Sequence, residues 1–352
     1  MKKILKFIFA LIGIALISTA LLFLVLTITD FQPEEIVALE NENNQEDLVK
    51  LNSDYSIMTW NIGYACLSEN EDFFMDDGEK SRPDSKELVQ NNLNGIINSL
   101  NEFDLDFSVI QEIDLKSKRS YYINELDALT NNFKNYSYNF AKNYDVLFVP
   151  VPFPPLGKIE SGISTFSKYQ IDSSERHQFE GNYTWPKKIA MLDRCYTAST
   201  LPIENKNEKL VLVNAHFSAY DDGSLREKQL EQIKTFITDE YAKGNYVILG
   251  GDFNQTFSFI DVNSFPLYKN GEFYMPHPIP DDFIDDSWKW GVSDNAPTYR
   301  LLDSAYNEGV TQVGVIDGFL VSPNVNIKEV ETLDYKFKYT DHNPVKMIFE
   351  LN

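Results

Sequence analysis

The chain has 352 residues, of which 43% are hydrophobic and 14% aromatic, enough apolar material for a substantial globular core. It carries 31 Lys and Arg against 53 Asp and Glu, a formal charge of −22. Duplex DNA binding draws much of its strength from Lys and Arg replacing counterions, so a surplus of this sign weighs against a nucleic-acid partner, although a local basic groove could overcome it.

In chain order, Lys2, Lys3 and Lys6 come first, followed by an uncharged run from Phe7 to Ile28 dominated by Ile, Leu, Phe, Ala and Val. At about 1.5 Å per helical residue such a run spans a hydrocarbon core roughly 30 Å thick. It predicts a membrane anchor over residues 1–29; a cleaved signal sequence and a buried core helix are the alternatives. The basic end belongs in the cytoplasm by the positive-inside rule, which puts the remainder outside as the extracellular part of a single-pass protein of the cell membrane. Residues 30–54 are acidic and Asn-rich with little periodicity, and they are expected to form a solvated stalk outside the core.

Residues 55–352 show no Gly/Ser-rich or Pro-rich linker and are expected to form one domain. Tyr55–Trp60, Phe107–Gln111, Gly162–Ser167, Leu210–Asn214, Tyr246–Leu249, Val315–Val321 and Val345–Leu351 predict strands, several too uniformly apolar to be one-sided. Helical patterns fall at about Asp84–Leu100, Tyr121–Asn132 and Ser224–Tyr241. This alternation predicts a layered α/β domain. Cys66 and Cys195 are the only cysteines, and they are expected either to pair or to be two free buried thiols.

Six polar fragments interrupt the apolar runs: Thr59-Trp60-Asn61-Ile62, Ile110-Gln111-Glu112, Asn214-Ala215-His216, Gly250-Gly251-Asp252-Phe253-Asn254, Ile316-Asp317-Gly318-Phe319 and Thr340-Asp341-His342-Asn343-Pro344. A carboxylate or amide at the end of a buried strand faces desolvation unless it sits at an open rim, so six such ends point to one shared site. Glu112 emerges from a buried strand and suits Mg²⁺, which prefers a few carboxylate oxygens plus water and phosphate. Asp252 and Asn254 follow two glycines that permit a tight turn; the carboxylate could orient an attacking water and the amide hold a phosphate oxygen, an Asx turn being the plain alternative. Asp317 interrupts an apolar run and needs a partner, and His342 is a suitable one, because Asp–His pairing fixes the tautomer and stabilises the charged ring. Among the basic residues, Arg119 and Arg194 are the candidates for neutralising phosphate.

The wording and order of these fragments resemble the endonuclease/exonuclease/phosphatase superfamily, which includes DNase I-like nucleases, abasic-site endonucleases, neutral sphingomyelinases and inositol-polyphosphate 5-phosphatases. The resemblance runs from about Ile57 to the C-terminus. It implies a four-layer sandwich of two mixed sheets flanked by helices, with the site at one end. It also implies that Asp317 orients His342, that Asp341 approaches the metal, that Asn61 supports metal or phosphate, and that His216 hydrogen-bonds a phosphate oxygen or protonates the leaving group. The metal set is then Glu112, Asn61 and Asp341, holding Mg²⁺ with Mn²⁺ as a substitute. Two segments depart from the family pattern: the insertion Asn70–Gly78 and the aromatic, Pro-rich stretch Tyr144–Leu156, expected either as a packed rim or as a substrate-facing wall. The expectation is a membrane-anchored phosphoesterase acting on a lipid or small phosphate ester in preference to nucleic acid. A DNase I-like endonuclease is the alternative, and an inactive binding protein would require a missing ligand or base.

Overall fold

A computed structural model describes residues 1–261, 265 and 277–352. Its helices are α1 (Lys2–Ile28), α2 (Lys86–Glu102), α3 (Glu125–Asn132) and α4 (Ser224–Ala242). The first strands are β1 (Ile36–Leu39), β2 (Asp54–Asn61), β3 (Phe107–Asp114), β4 (Ser137–Val149), β5 (Gly157–Ser167) and β6 (Ser173–Gln178). Next come β7 (Cys195–Pro202), β8 (Lys209–His216), β9 (Tyr246–Asp252), β10 (Thr256–Phe257), β11 (Pro278–Ile279) and β12 (Lys289–Gly291). The chain closes with β13 (Tyr299–Arg300), β14 (Val313–Gly314), β15 (Asp317–Val321), β16 (Val325–Thr332) and β17 (Val345–Leu351).

Two mixed sheets carry the domain. One has six strands in the order β16-β17-β2-β3-β5-β4, the other seven in the order β1-β6-β7-β8-β9-β15-β12. Each holds one parallel pair at its centre, β2 with β3 and β8 with β9, among antiparallel neighbours. Between the sheets Ile57, Phe107, Val109, Leu212, Ile248, Phe319 and Met347 form the central core. The outer face of the six-stranded sheet is covered by Val89, Leu93 and Ile96 of α2 and Leu129 of α3; that of the other is covered by Leu230, Ile233 and Ile237 of α4. Strands buried on both faces have no polar side to show, which is why β2, β3, β8 and β9 read as apolar runs. The architecture is the four-layer α/β sandwich expected. Every predicted strand and helix is present, with β3, β8 and β9 each running on to include the polar residues at their ends.

The segment expected as a solvated stalk is laid along the domain instead. β1 pairs with β6 and forms one edge of the seven-stranded sheet, placing Ile36 opposite His177. The side chain of Asn44 accepts from the Ile171 N–H and donates to the Ile171 carbonyl, and Val49 is fully buried in the central core. Low periodicity hid this because a single edge strand and one inward valine leave no repeating pattern. Cys66 and Cys195 are both free and buried, in separate clusters.

Helix α1 is long and apolar enough to cross a membrane, and its most apolar stretch has no buried residue. Its C-terminal end nonetheless touches the domain. Trp185 packs on Phe23 with ring centroids 5.9 Å apart and donates from Nε1 to Thr27 Oγ1 at 3.1 Å.

Candidate active site

Strand register converges the polar fragments. Asp252 lies opposite His216 on one side and Asp317 on the other, so three candidate site residues share one rung of the seven-stranded sheet. Asn61 lies opposite Gln111 at the matching end of the six-stranded sheet. Gly251, opposite Ala215 on the neighbouring rung, allows the close approach of β8 and β9, since a Cβ there would sit 1.9 Å from the Ala215 carbonyl oxygen. At Gly63, with φ at 50°, a Cβ would meet Thr340 Oγ1 and Asp341 Oδ1 at 2.7 and 2.8 Å.

Glu112 sits where the β3–β5 register slips between Ile110 and Ile113, a bulge that turns its carboxylate from the ladder toward the cavity. Glu112 and Asn254 both hold positive φ, 58° and 49°. Strained non-glycine backbone of this kind costs about 1–3 kcal/mol per residue and persists where function or surrounding packing imposes it.

Asn61 ties the two sheets together. Its Nδ2 donates to Asp252 Oδ2 at 3.0 Å and to Glu112 Oε1 at 3.4 Å, and its Oδ1 accepts from the Gly63 N–H. Asp252 also accepts from the backbone N–H of Asn254 at 2.8 Å and lies 3.4 Å from His216 Nε2. His342 Nδ1 bonds Asp317 Oδ2 at 2.8 Å, leaving Nε2 facing Asp252 at 3.9 Å and Asp341 at 4.0 Å. Trp60 Nε1 donates to the His342 carbonyl and Thr298 Oγ1 accepts from the Asp317 N–H, so both members of that pair are held by backbone contacts as well.

The electrostatics separate the two histidines. Burial lowers the His342 ring, but Asp317 and then Asp341 outweigh it and hold the imidazole well above its usual value, as a cation. His216 is pushed well below, first by burial and then by Arg194 and His342, so it is neutral. Burial raises Glu112 and Asp341 above the usual carboxylate range and takes Asp252 to about 6, with Asp317 adding to the effect.

This donor set fits a divalent cation. Four carboxylates crowd one buried end, Asp317 Oδ1 is buried without a hydrogen-bond partner among the described residues, and donor atoms of Asp252, Asp317 and His342 lie within 4.8 Å of one another. Crowded buried carboxylates return to their charged form when a cation joins them. Because Asp317 and His342 already bond each other, Glu112 and Asp341 are the freer donors, while Asn61 is occupied in orienting its neighbours.

The expected arginines divide. Arg119 is bound at both ends, by a two-point contact to buried Asp114 at 2.9 and 3.2 Å and by its guanidinium 3.4 Å from the centroid of the Tyr64 ring. Arg194 lines the same cavity with a buried Nη1 that has no partner among the described residues. It is the better placed of the two to meet an anion.

Several residues that hold the site carried no functional assignment in the sequence. Gln111 and Asn214 bond each other at 2.8 Å across the sheets behind the rim. Arg300 is buried and donates to the carbonyls of Ser68 and Glu71, fixing the start of the 70–78 insertion, while its own N–H donates to the Asp341 carbonyl. Arg226 of α4 donates to the Asn254 carbonyl and pairs with Asp221 at 2.8 Å. The polar strand ends could have flagged Gln111 and Asn214; a lone Arg in a loop or helix offers no spacing signal.

Two facing mixed sheets that bring carboxylates, amides and a carboxylate-held histidine to one rim make the framework of a phosphoester hydrolase. The chain belongs to the Endonuclease/Exonuclease/phosphatase family, whose pattern it matches over residues 58–342. Members of that family are phosphoester hydrolases and in general depend on a divalent metal. No curated protein matches the sequence. Among solved structures, an endonuclease/exonuclease/phosphatase from Beutenbergia cavernae superposes with a TM-score of 0.59 at 15% identity, covering 85% of this chain and 72% of that one. ANGEL2, a 2′,3′-cyclic phosphatase solved with adenosine-2′,3′-vanadate, gives 0.55 at 13% identity over 89% and 98%. TDP2 of D. rerio with a single-strand DNA product gives 0.53 at 14% over 85% and 100%. At such identities the likeness is one of fold.

Proposed function

We propose that the chain is a membrane-anchored, Mg²⁺-dependent phosphoesterase, with Mn²⁺ as a substitute, that hydrolyses a lipid or small phosphate ester by direct attack of water on phosphorus. The observation that carries this is the Asp317–His342 pair at 2.8 Å, with its free nitrogen turned toward Asp252 and Asp341 in the cavity that Glu112 also lines. Glu112 and Asp341 would hold the metal, which when bound polarises the phosphate and steadies the leaving oxygen.

The chain's own residues take the remaining tasks. Asp252 orients the water and accepts its proton as the new P–O bond forms and the ester bond breaks. His342, held as a cation by Asp317, donates from Nε2 to the phosphoryl oxygens, where negative charge grows. Neutral His216 and the Asn254 amide steady the phosphate beside it, and Arg194 supplies a second positive charge. Helix α1 is the anchor, with Lys2, Lys3 and Lys6 on the cytoplasmic side and the domain outside. The net charge and this anchoring favour a lipid or small ester over nucleic acid.

The test is a Mg²⁺-supplemented screen of plasmid DNA, RNA, sphingomyelin, phosphoinositides and small phosphodiesters. His342→Ala is expected to lower kcat on the responding substrate by about 10²–10⁴, the range of a positioned acid or base, and Asp317→Asn by less. A His342→Ala rate within about threefold of wild type would place the catalytic centre elsewhere. Cleavage confined to plasmid DNA would favour the DNase I-like alternative.

A further inference from the structure

The cavity that contains the polar rim has a second half of different character. Its volume is about 320 Å³, at the small-ligand end of the pocket range, which is roughly 300–1,000 Å³. Besides Glu112 and Arg194, its lining includes Phe73, Phe74 and Met75 from one departing segment and Val149, Val151 and Leu156 from the other. Neither segment contributes a carboxylate or imidazole to the rim.

The apolar half is braced. Asp76 accepts from Tyr220 Oη at 2.7 Å and from the Leu302 N–H, which ties the insertion across the cavity to the loop after β8. Arg300 holds the insertion's first residues from behind. Phe74 packs against the cluster of Tyr144, Val149 and Leu156, so the two segments support each other. Apolar side chains kept beside a charged rim, with several polar bonds spent on holding them there, suit a ligand that is charged at one end and apolar at the other.

We propose that this apolar half is a subsite for the hydrocarbon part of an amphiphilic phosphate ester whose phosphate lies at the Glu112–Arg194–His342 end. The inference rests on the phosphoesterase reading for the position of the phosphate. The substrate class is therefore a lipid-like ester and not a nucleotide chain.

Binding tests it without turnover. Methylphosphonate, butylphosphonate and thymidine 5′-phosphate are titrated calorimetrically, with Mg²⁺, into the full chain held in lipid nanodiscs. Each fully buried methylene favours binding by a factor of about four, so butylphosphonate is expected to bind about tenfold or more tightly than methylphosphonate, allowing for incomplete burial. Val151→Asp, at a position more than half exposed and so tolerant of change, and Phe74→Ser are each expected to reduce that ratio to within about twofold. Equal affinities for the two phosphonates, a ratio that survives in Val151→Asp, or thymidine 5′-phosphate binding more tightly than butylphosphonate would each overturn the subsite. Hydrolysis of p-nitrophenyl phosphate and of its methyl diester is measured alongside. Absence of hydrolysis with a retained chain-length ratio would sink the phosphoesterase reading and leave the subsite standing.

Discussion

Arg119 and Arg194 look alike in sequence and differ in what surrounds them. Arg119 neutralises Asp114, which is fully buried, and also covers the Tyr64 ring. Arg119→Met would leave Asp114 without its counter-ion, and breaking one side of a buried pair costs about 3–5 kcal/mol. The expected outcome is a large fall in Tm. Arg194→Met removes a group that holds no anion among the described residues, so Tm is expected to stay near wild type while KM for the phosphate ester rises by about tenfold, the loss of one charge-assisted contact. Equal Tm losses in the two variants would erase the distinction. The candidates at the rim were legible because Glu112 and Asp252 stand at the ends of apolar runs and Asp317 interrupts one, where a charged residue needs a partner such as His342. The arginines were not, because position along the chain says nothing about whether a guanidinium already has a carboxylate.

At the scale of elements, the apolar strands buried on both faces announced themselves, whereas the edge strands and the buried but Thr- and Ser-containing β7 did not. β4 reads Ser-Tyr-Asn-Phe-Ala-Lys-Asn-Tyr, alternately buried and half-buried, and its polar residues disguise thirteen residues of strand. β1 is four residues long and is held by pairing with β6 and by Leu39, which packs on Ala141, Ile163 and Cys195. That pairing makes a truncation series informative. A chain starting at residue 31 keeps β1, Asn44 and Val49 and is expected to fold close to the full domain. One starting at residue 53 loses the edge strand and the burial of Val49, which alone is worth about 1.5–3 kcal/mol, and is expected to melt at least several degrees lower. Equal Tm values would restore the stalk. The two departing segments were visible as insertions, but only folding brings residues 73–75 and 149–156 to one cavity.

At the scale of the whole molecule, the junction between helix and domain has its own titration. Asp193 is pushed up to about 7, mainly by burial and next by the charge of Asp30 just beyond α1, against an ordinary aspartate value of 3.8. An acid whose folded value is raised releases its proton later when folded than when unfolded, so its ionisation takes stability away as pH rises from about 4 to about 7. Asp193→Asn lacks that loss. Its Tm relative to wild type is expected to become more positive between pH 5 and pH 8, and a constant difference would discount the effect. For topology, protease added to intact cells is expected to remove the domain and spare a short N-terminal fragment, whereas full protection until lysis would reverse the orientation. The contact of Trp185 with Phe23 and Thr27, together with Lys188 3.8 Å from Asp30, leaves little free tether between helix and domain. With α1 across a bilayer, the enzyme would therefore be less a ball on a string than a tool in a fixed handle. Its cavity would meet the membrane at one angle and one height, and its choice of substrate would depend on how far a headgroup stands out from the leaflet as well as on the chemistry of that headgroup.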